Sequence, residues 1–289
     1  MKKIVMLGCE NSHVKTFLKI MQGNPRYADV EVVGVYSEDL DAMKKMHDMF
    51  GVPMMRAYDE AVGKVDGVVV TARHGGKHYP YAKPYVESGV PMFIDKPITV
   101  DEAEAVQFMR ECRDAGVRLC GGSCCKYAAS VEALCARITV GEDGSVCGGV
   151  VRAPIDMDNP YGGFYFYSQH LVEMVCAVFG YYPKSVKAYR NGENITVVFR
   201  YENYDVIGLF TEHSRYYSVS VFFQETTVSP DTEIGNACFA REFEEFYRLL
   251  QGGAQEISYQ DFIAPVFILN AIDRSLTSGE EEIVTSYEV

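Results

Sequence analysis

A chain of 289 residues is too long for a single small core and suits two domains of about 100 to 200 residues each, and its 48% hydrophobic content supplies enough material for two cores. The net charge of -13 excludes a nucleic-acid partner, because binding phosphate needs a basic footprint that this composition lacks. No apolar run reaches the ~18 residues that cross a bilayer, so no membrane partner is expected.

The amino terminus, Met1-Lys2-Lys3, leads directly into a short apolar strand rather than a secretory core, and a cytoplasmic protein is expected. Lys3 to Leu7 reads as a buried strand, followed by Gly8-Cys9-Glu10-Asn11-Ser12-His13 and a helix with Val14, Phe17, Leu18 and Met21 on one face. A strand, a glycine turn and an amphipathic helix open a nucleotide-binding βαβ unit. Val30 to Tyr36 is the second strand. Leu40, Met43, Met49 and Phe50, with Met46 beside the stripe, supply the apolar face of the next helix, which Gly51 can end.

A third buried strand, Val68 to Thr71, precedes Ala72-Arg73-His74-Gly75-Gly76-Lys77-His78 and a helix that Pro84 should kink or shorten. The stretch Val86 to Thr99 then organises the domain. It reads as a helix end, a Gly89 stop, a buried strand of Met92, Phe93 and Ile94, and Asp95-Lys96-Pro97 at that strand's carboxyl end. Ligands of open parallel sheets bind at the carboxyl ends of strands, so Lys96 is placed to face a ligand. Thr99 with Glu102 reads as a capping box for a helix that turns Val106, Met109 and Cys112 inward. Val117 to Cys120 makes one more strand. Residues 1–122 therefore read as a Rossmann-type, doubly wound α/β dinucleotide-binding domain with a parallel sheet.

From about Tyr127 the pattern changes. A helix carrying Val131, Leu134 and Ile138 leads to a strand near Val150 and a helix from Tyr165 to Phe179. Extended segments follow at Ser185 to Tyr189, Ile195 to Tyr201, Val206 to Thr211 and Tyr217 to Phe223, the first two joined across Asn191-Gly192, as in an antiparallel meander. Two helices close the chain, one with Phe239, Phe243, Phe246 and Leu250, the other from Phe262 to Leu276. Residues 123–289 thus read as an α+β domain for substrate binding and oligomerisation. Its open, mainly antiparallel sheet has helices on one face, and its other face, rich in Tyr and Phe, suits a homodimer or homotetramer. The nine cysteines are odd in number and irregularly spaced, which favours reduced thiols. Cys112, Cys120, Cys124 and Cys125 lack the paired spacing of a zinc site, and no metal is expected.

Taken together, these motifs resemble the glucose-fructose oxidoreductase, inositol dehydrogenase and rhizopine-catabolism (Gfo/Idh/MocA) family over nearly the whole chain. Gly89-Val90-Pro91-Met92-Phe93-Ile94-Asp95-Lys96-Pro97 resembles the family's strand and Glu-Lys-Pro motif, with Asp for Glu. Thr71-Ala72 with His78 resembles its Thr-Pro and histidine. Gly162-Gly163 with His170 and Glu173 resembles its second-domain signature. The resemblance implies reversible hydride transfer between NAD or NADP and a sugar, polyol or related hydroxy compound. Removing a hydroxyl proton needs a base and the developing alkoxide needs a cation; the resemblance assigns these roles to His170 and Lys96. It assigns cofactor binding to Gly8, Cys9, Glu10, Asn11, Ser12, His13, Ser37, Thr71, Ala72, Arg73, His74, His78, Asp95 and Lys96. Small-molecule substrate contacts are Lys126, Tyr127, Asp156, Asp158, Tyr161, Tyr165, His170 and Glu173.

Three positions depart from the family pattern. The turn keeps the first glycine of Gly-x-Gly-x-x-Gly but has Glu10 and His13 at the others; a carboxylate at the second repels pyrophosphate unless it turns away. Ser37 stands where an acid often grips the adenosine ribose. Phe166 replaces an aspartate four residues before the histidine. These departures leave two alternatives: a cofactor-free ligand-binding or regulatory homologue, or a lyase or glycosidase that recycles bound NAD.

Overall fold

The computed structural model describes every residue from Met1 to Val289. The chain divides into two compact units, Met1–Gly122 with Phe239–Phe262 and Val289, and Ser123–Cys238 with Ile263–Glu288.

In the first unit the elements alternate: β1 (Lys2–Leu7), α1 (Ser12–Gly23), β2 (Val30–Tyr36), α2 (Leu40–Phe50), β3 (Gly67–Val70), α3 (His78–Val86), β4 (Met92–Asp95), α4 (Glu102–Asp114) and β5 (Leu119–Gly122). The five strands form one parallel sheet in the order β2-β1-β3-β4-β5. The chain leaves β1 for β2 on one side and returns to β3 on the other, which makes the β1/β3 edge the topological switch point where open α/β sheets bind ligands. β3 and β4 are buried throughout, as expected of strands covered on both faces.

Helix ends follow their local chemistry. Asn11 caps α1 by accepting the His13 amide, and Asp39 caps α2 by accepting that of Ala42. Gly51, at φ +71, closes α2 in the left-handed conformation. Pro84 lies in the last turn of α3, which stops after nine residues. The expected Thr99 cap is corrected: Asp101 accepts the Glu104 amide at 2.8 Å, while Thr99 Oγ1 bonds the Asp101 carbonyl at 2.9 Å. On α2 only Met43 and Met46 are buried, and Leu40 and Met49 are exposed, because the helix presents a narrower face than the stripe implied.

The sequence reading assigned residues 239–262 to the second domain; they pack in the first unit. Helix α7 (Asn236–Leu250) sets Phe243 and Phe246 against Phe17 and Phe93 in a continuous aromatic core. Arg118 Nη1 donates to the Gly253 carbonyl and the Leu119 amide donates to Gln255, which ties the following loop to β5.

The second unit contains α5 (Ala129–Val140), β6 (Val146–Pro154), α6 (Phe164–Phe179), β7 (Ser185–Asn191), β8 (Asn194–Arg200), β9 (Asp205–Thr211), β10 (Tyr217–Phe223), β11 (Thr227–Val228), β12 (Asp231–Thr232), the greater part of α8 (Tyr259–Ser278) and β13 (Glu282–Ile283). Its sheet runs β11-β10-β6-β9-β8-β7-β13, with β12 beside β10. The four-strand meander is corrected: β6 lies between β9 and β10, parallel to β9 and antiparallel to β10. The link from Glu212 to Tyr216 is long enough to step over one strand at the ~4.8 Å inter-strand spacing, so its shortness did not force β9 and β10 together. Gly149 and Gly208 admit α6 onto the sheet: a Cβ on either would stand 2.3 Å from Phe179 Cζ or 3.0 Å from Leu171 Cδ2. No helix is long and apolar enough to cross a membrane.

Candidate functional site

The first cluster forms at the switch point. Gly8, at φ +88, turns the chain off β1 with its Cα against the Thr71-Ala72 backbone: a Cβ there would lie 2.1 Å from the Ala72 nitrogen. The turn opens the amino terminus of the twelve-residue α1, a place favourable to anions. Ser12 is exposed there. The carboxylate of Glu10 is folded sideways. Its Oε2 accepts from Ser37 Oγ at 2.6 Å, and its Oε1 accepts from the Arg73 amide at 3.0 Å. Burial, and next the Glu10 charge, push the neighbouring Cys9 thiol up to about 12, so it is an un-ionised packing group.

Several residues assigned to cofactor contact turn inward instead. Asp95 is fully buried; its Oδ2 accepts from Asn11 Nδ2 at 2.8 Å and its Oδ1 from the Lys96 amide at 2.7 Å. His13 is buried with Nδ1 3.2 Å from Asp95 Oδ2 and Nε2 3.4 Å from Glu242 Oε2, its ring edge-on to Phe239. His78 is fully buried, with Nδ1 2.6 Å from the Pro97 carbonyl and Nε2 2.7 Å from that of Ala72; the neutral ring donates to one of them and the imidazolium to both. Thr71 is fully buried and bonds the Gly8 carbonyl at 3.1 Å. Strand alternation accounts for the inward turn of Thr71 and Asp95, at the carboxyl ends of β3 and β4, while His13 and His78 lie in the first turns of α1 and α3. Half-buried Arg73 and His74 do lie at the β3 edge, and His74 caps the next turn by accepting the Gly76 amide. Lys96 follows β4 and is itself 5% exposed. Glu38, after β2, pairs with Lys77, which holds its carboxyl below the usual range.

The second cluster lies on α6 and the turn after residue 122. His170 is 7% exposed, with Nδ1 2.6 Å from Ser123 Oγ and 3.4 Å from Cys125 Sγ. Ser123 Oγ also accepts the Cys125 amide at 3.1 Å, which fixes the hydroxyl. The rings of Tyr167 and Tyr217 lie 5.8 and 6.1 Å from the imidazole, and burial drives the Tyr217 hydroxyl well above its ordinary pKa. Ser123 and Cys125 were not singled out from the sequence. A serine at the end of β5 was the available signal, at the edge where ligands gather.

Lys126 and Glu173, read as substrate contacts, are partners of each other: Lys126 Nζ is 2.9 Å from Glu173 Oε2, and Gln169 Nε2 donates to Glu173 Oε1 at 2.7 Å. Glu173 is 2% exposed and its carboxylate is engaged on both oxygens. Lys126 also lies over the half-buried Tyr127 ring at 5.4 Å. Tyr165 donates its hydroxyl to Asn270 at 3.1 Å, and Asp156 accepts from Asn159 at 2.8 Å. Tyr161 packs near Phe166 with ring centroids 5.8 Å apart, and Asp158 is exposed.

A parallel sheet with a glycine turn at its switch point, followed by an α+β unit with a buried helix histidine, defines a two-domain class, a Rossmann-type unit joined to an α+β unit. Residues 2–123 match the model of the Gfo/Idh/MocA oxidoreductase family, described as an NAD-binding Rossmann fold. No curated protein sequence matches the chain. Among solved structures, a putative myo-inositol dehydrogenase from Sinorhizobium meliloti superposes with a TM-score of 0.83 at 18% identity, covering 99% of this chain and 100% of that one. A myo-inositol dehydrogenase from Corynebacterium glutamicum gives 0.82 at 17%, with 99% and 100% covered. The GenD2 protein of gentamicin A biosynthesis, solved in complex with NAD, gives 0.86 at 17%, with 100% and 97% covered. At these identities the likeness is one of fold.

Proposed function

We propose that the protein is an NAD-dependent oxidoreductase that transfers hydride to or from a sugar, polyol or related hydroxy compound. The corner formed by β1, Gly8 and α1 in an NAD-binding family carries this reading. Its residues suit a dinucleotide: the first glycine of the turn is in place, the helix amino terminus is exposed at Ser12, and the Glu10 carboxylate is bound to Ser37 and the Arg73 amide rather than to the amides of α1. Bound at this corner, NAD supplies the hydride acceptor.

His170 is the base. In the tautomer with the proton on Nδ1, that nitrogen donates to Ser123 Oγ, which has lone pairs for both that proton and the Cys125 amide, and exchange with a substrate hydroxyl falls to Nε2. Lys96 is the cation for the alkoxide, placed at the carboxyl end of β4. Lys126, Asp156, Tyr161 and Tyr165 are the substrate contacts, each held in place by a neighbour within the second unit. The outer face of the second sheet, with Tyr189 and Phe222 exposed, is the surface through which a homo-oligomer would form.

The test is NADH titration of the purified protein by fluorescence, then a turnover screen with NAD over inositols, polyols and sugars. Binding followed by turnover that falls at least ~100-fold in His170→Ala and Lys96→Ala is the expected result. Turnover at wild-type rate in either variant removes that residue's role.

A further inference from the structure

Two of the departures at the cofactor corner are one exchange. In a doubly wound sheet, an acid at the end of the strand after the glycine turn binds the adenosine ribose, and an arginine nearby marks a chain that takes the 2′-phosphate of NADP. At the end of β2 this chain has Ser37, a hydroxyl, and in the turn it has Glu10 in place of the second glycine. The two meet: Ser37 Oγ donates to Glu10 Oε2 at 2.6 Å, so a carboxylate stands one hydrogen bond from the end of β2 after all, delivered from the neighbouring turn. We propose that Glu10 is the ribose-binding acid of this protein and selects NAD over NADP, an inference that rests on the NAD-dependent reading above.

Three observations carry it. First, the carboxylate is held from both sides. The Arg73 amide binds Oε1 at 3.0 Å, and Ser37 Oγ is itself fixed by accepting the Asp39 amide at 3.1 Å, so its proton is committed to Glu10. Second, the carboxylate keeps acceptor capacity. An ionised carboxylate has about four lone-pair sites; these bonds use two, and the half-buried side chain can offer the others to the 2′- and 3′-hydroxyls of a ribose. Third, the local charge opposes a 2′-phosphate. Glu10, Glu38 and Asp39 gather at the end of β2; of the two cations beside them, Lys77 is paired with Glu38 and Arg73 meets Glu10 through its backbone amide.

NADH and NADPH are titrated by fluorescence into the wild type, Glu10→Gln, and a Glu10→Gly/Ser37→Asp double variant that returns the acid to β2. Thermal melts by circular dichroism check folding. The wild type should favour NADH by at least ~10-fold, the range for hydrogen bonds to a charged group. Glu10→Gln, similar in shape, should shrink that ratio by about the same factor through weaker NADH binding, and the double variant should restore it. An unchanged ratio in Glu10→Gln, or tighter NADH binding by either variant, overturns the inference and makes Glu10 an obstruction. Failure of every form to bind either dinucleotide overturns the cofactor reading itself, and the inference with it.

Discussion

His13 Nε2 stands 3.4 Å from Glu242 Oε2, which ties the first turn of α1 to a helix that the chain adds to the same unit only near its end. The other ring nitrogen, Nδ1, faces Asp95 Oδ2 at 3.2 Å and Asn11 Oδ1 at 3.3 Å, both acceptors, so it carries a proton. Both carboxylates are wholly buried. His13→Phe therefore removes the imidazole that faces Glu242 and one partner of Asp95, which keeps Asn11 and the Lys96 amide, and should cost about 3 to 5 kcal/mol, as breaking a buried pair does. Adding Glu242→Leu to that variant should recover part of the loss in urea denaturation. A neutral His13→Phe would show that the imidazole does not compensate these acids.

Gly8 and Gly51 both have positive φ, at +88 and +71, yet differ in surroundings. A Cβ on Gly51 meets nothing within 4 Å, so Gly51→Ala should cost only the left-handed penalty of about 1 to 2 kcal/mol. On Gly8 the same atom would lie 2.1 Å from the Ala72 nitrogen and 2.4 Å from its Cα, a clash that backbone cannot relieve cheaply. Gly8→Ala should exceed 4 kcal/mol, at the exceptional end of single substitutions, and give mostly insoluble protein. Equal denaturation midpoints for the two variants would contradict the tight β1/β3 corner.

Stability should fall on mild acidification because of His78. Complete burial lowers its pKa from 6.5, against the smaller opposing pulls of Asp95 and the carbonyls of Ala72 and Pro97. The unfolded chain then takes up a proton before the folded one does, so folding stability is intact above pH 6.5 and declines as pH drops below it, levelling once the folded imidazole is also charged. Urea midpoints measured from pH 7.5 downward should show this decline, and His78→Gln should reduce it. A rise in stability over the same interval would mean that the two carbonyls outweigh burial.

The alternation of strand and helix and the β1 corner were legible because each is written locally, as an apolar run, a glycine or a 3.6-residue stripe, whereas His170 was reached only through the resemblance to a family. What escaped was decided across long stretches of chain. β6 separates β9 from β10, and α7 returns to the first unit, because complementary apolar faces choose their partners without regard to sequence distance. At the site the same limit applies. Asp95 and His78 were assigned to cofactor contact through the resemblance, yet both are fully buried, Asp95 by the pleat at the end of β4 and His78 at the start of α3 between two carbonyls. Glu10 looked like an obstruction because Ser37, its partner 27 residues on, is close only in space.

Ser123 lies 47 residues from His170 and still sets its orientation, with Oγ 2.6 Å from Nδ1. Where many relatives hold an aspartate one turn before the histidine, this chain has Phe166, whose ring packs against Tyr161 and Tyr167, so orientation of the imidazole passes to the hydroxyl. Ser123→Ala removes the hydroxyl that pairs with Nδ1 and leaves the Cys125 amide without its partner. The ring then samples the wrong tautomer, and kcat should fall about 10- to 100-fold, a fraction of what a general base contributes. KM should stay nearly constant, because Ser123 is buried and meets His170 rather than substrate. Ser123→Thr, which keeps the hydroxyl, should recover most of the rate. In the double variant with His170→Ala the serine change should add nothing further, since its effect passes through the imidazole. An additive loss, or a Ser123→Ala rate equal to wild type, would mean that His170 is oriented by some other group.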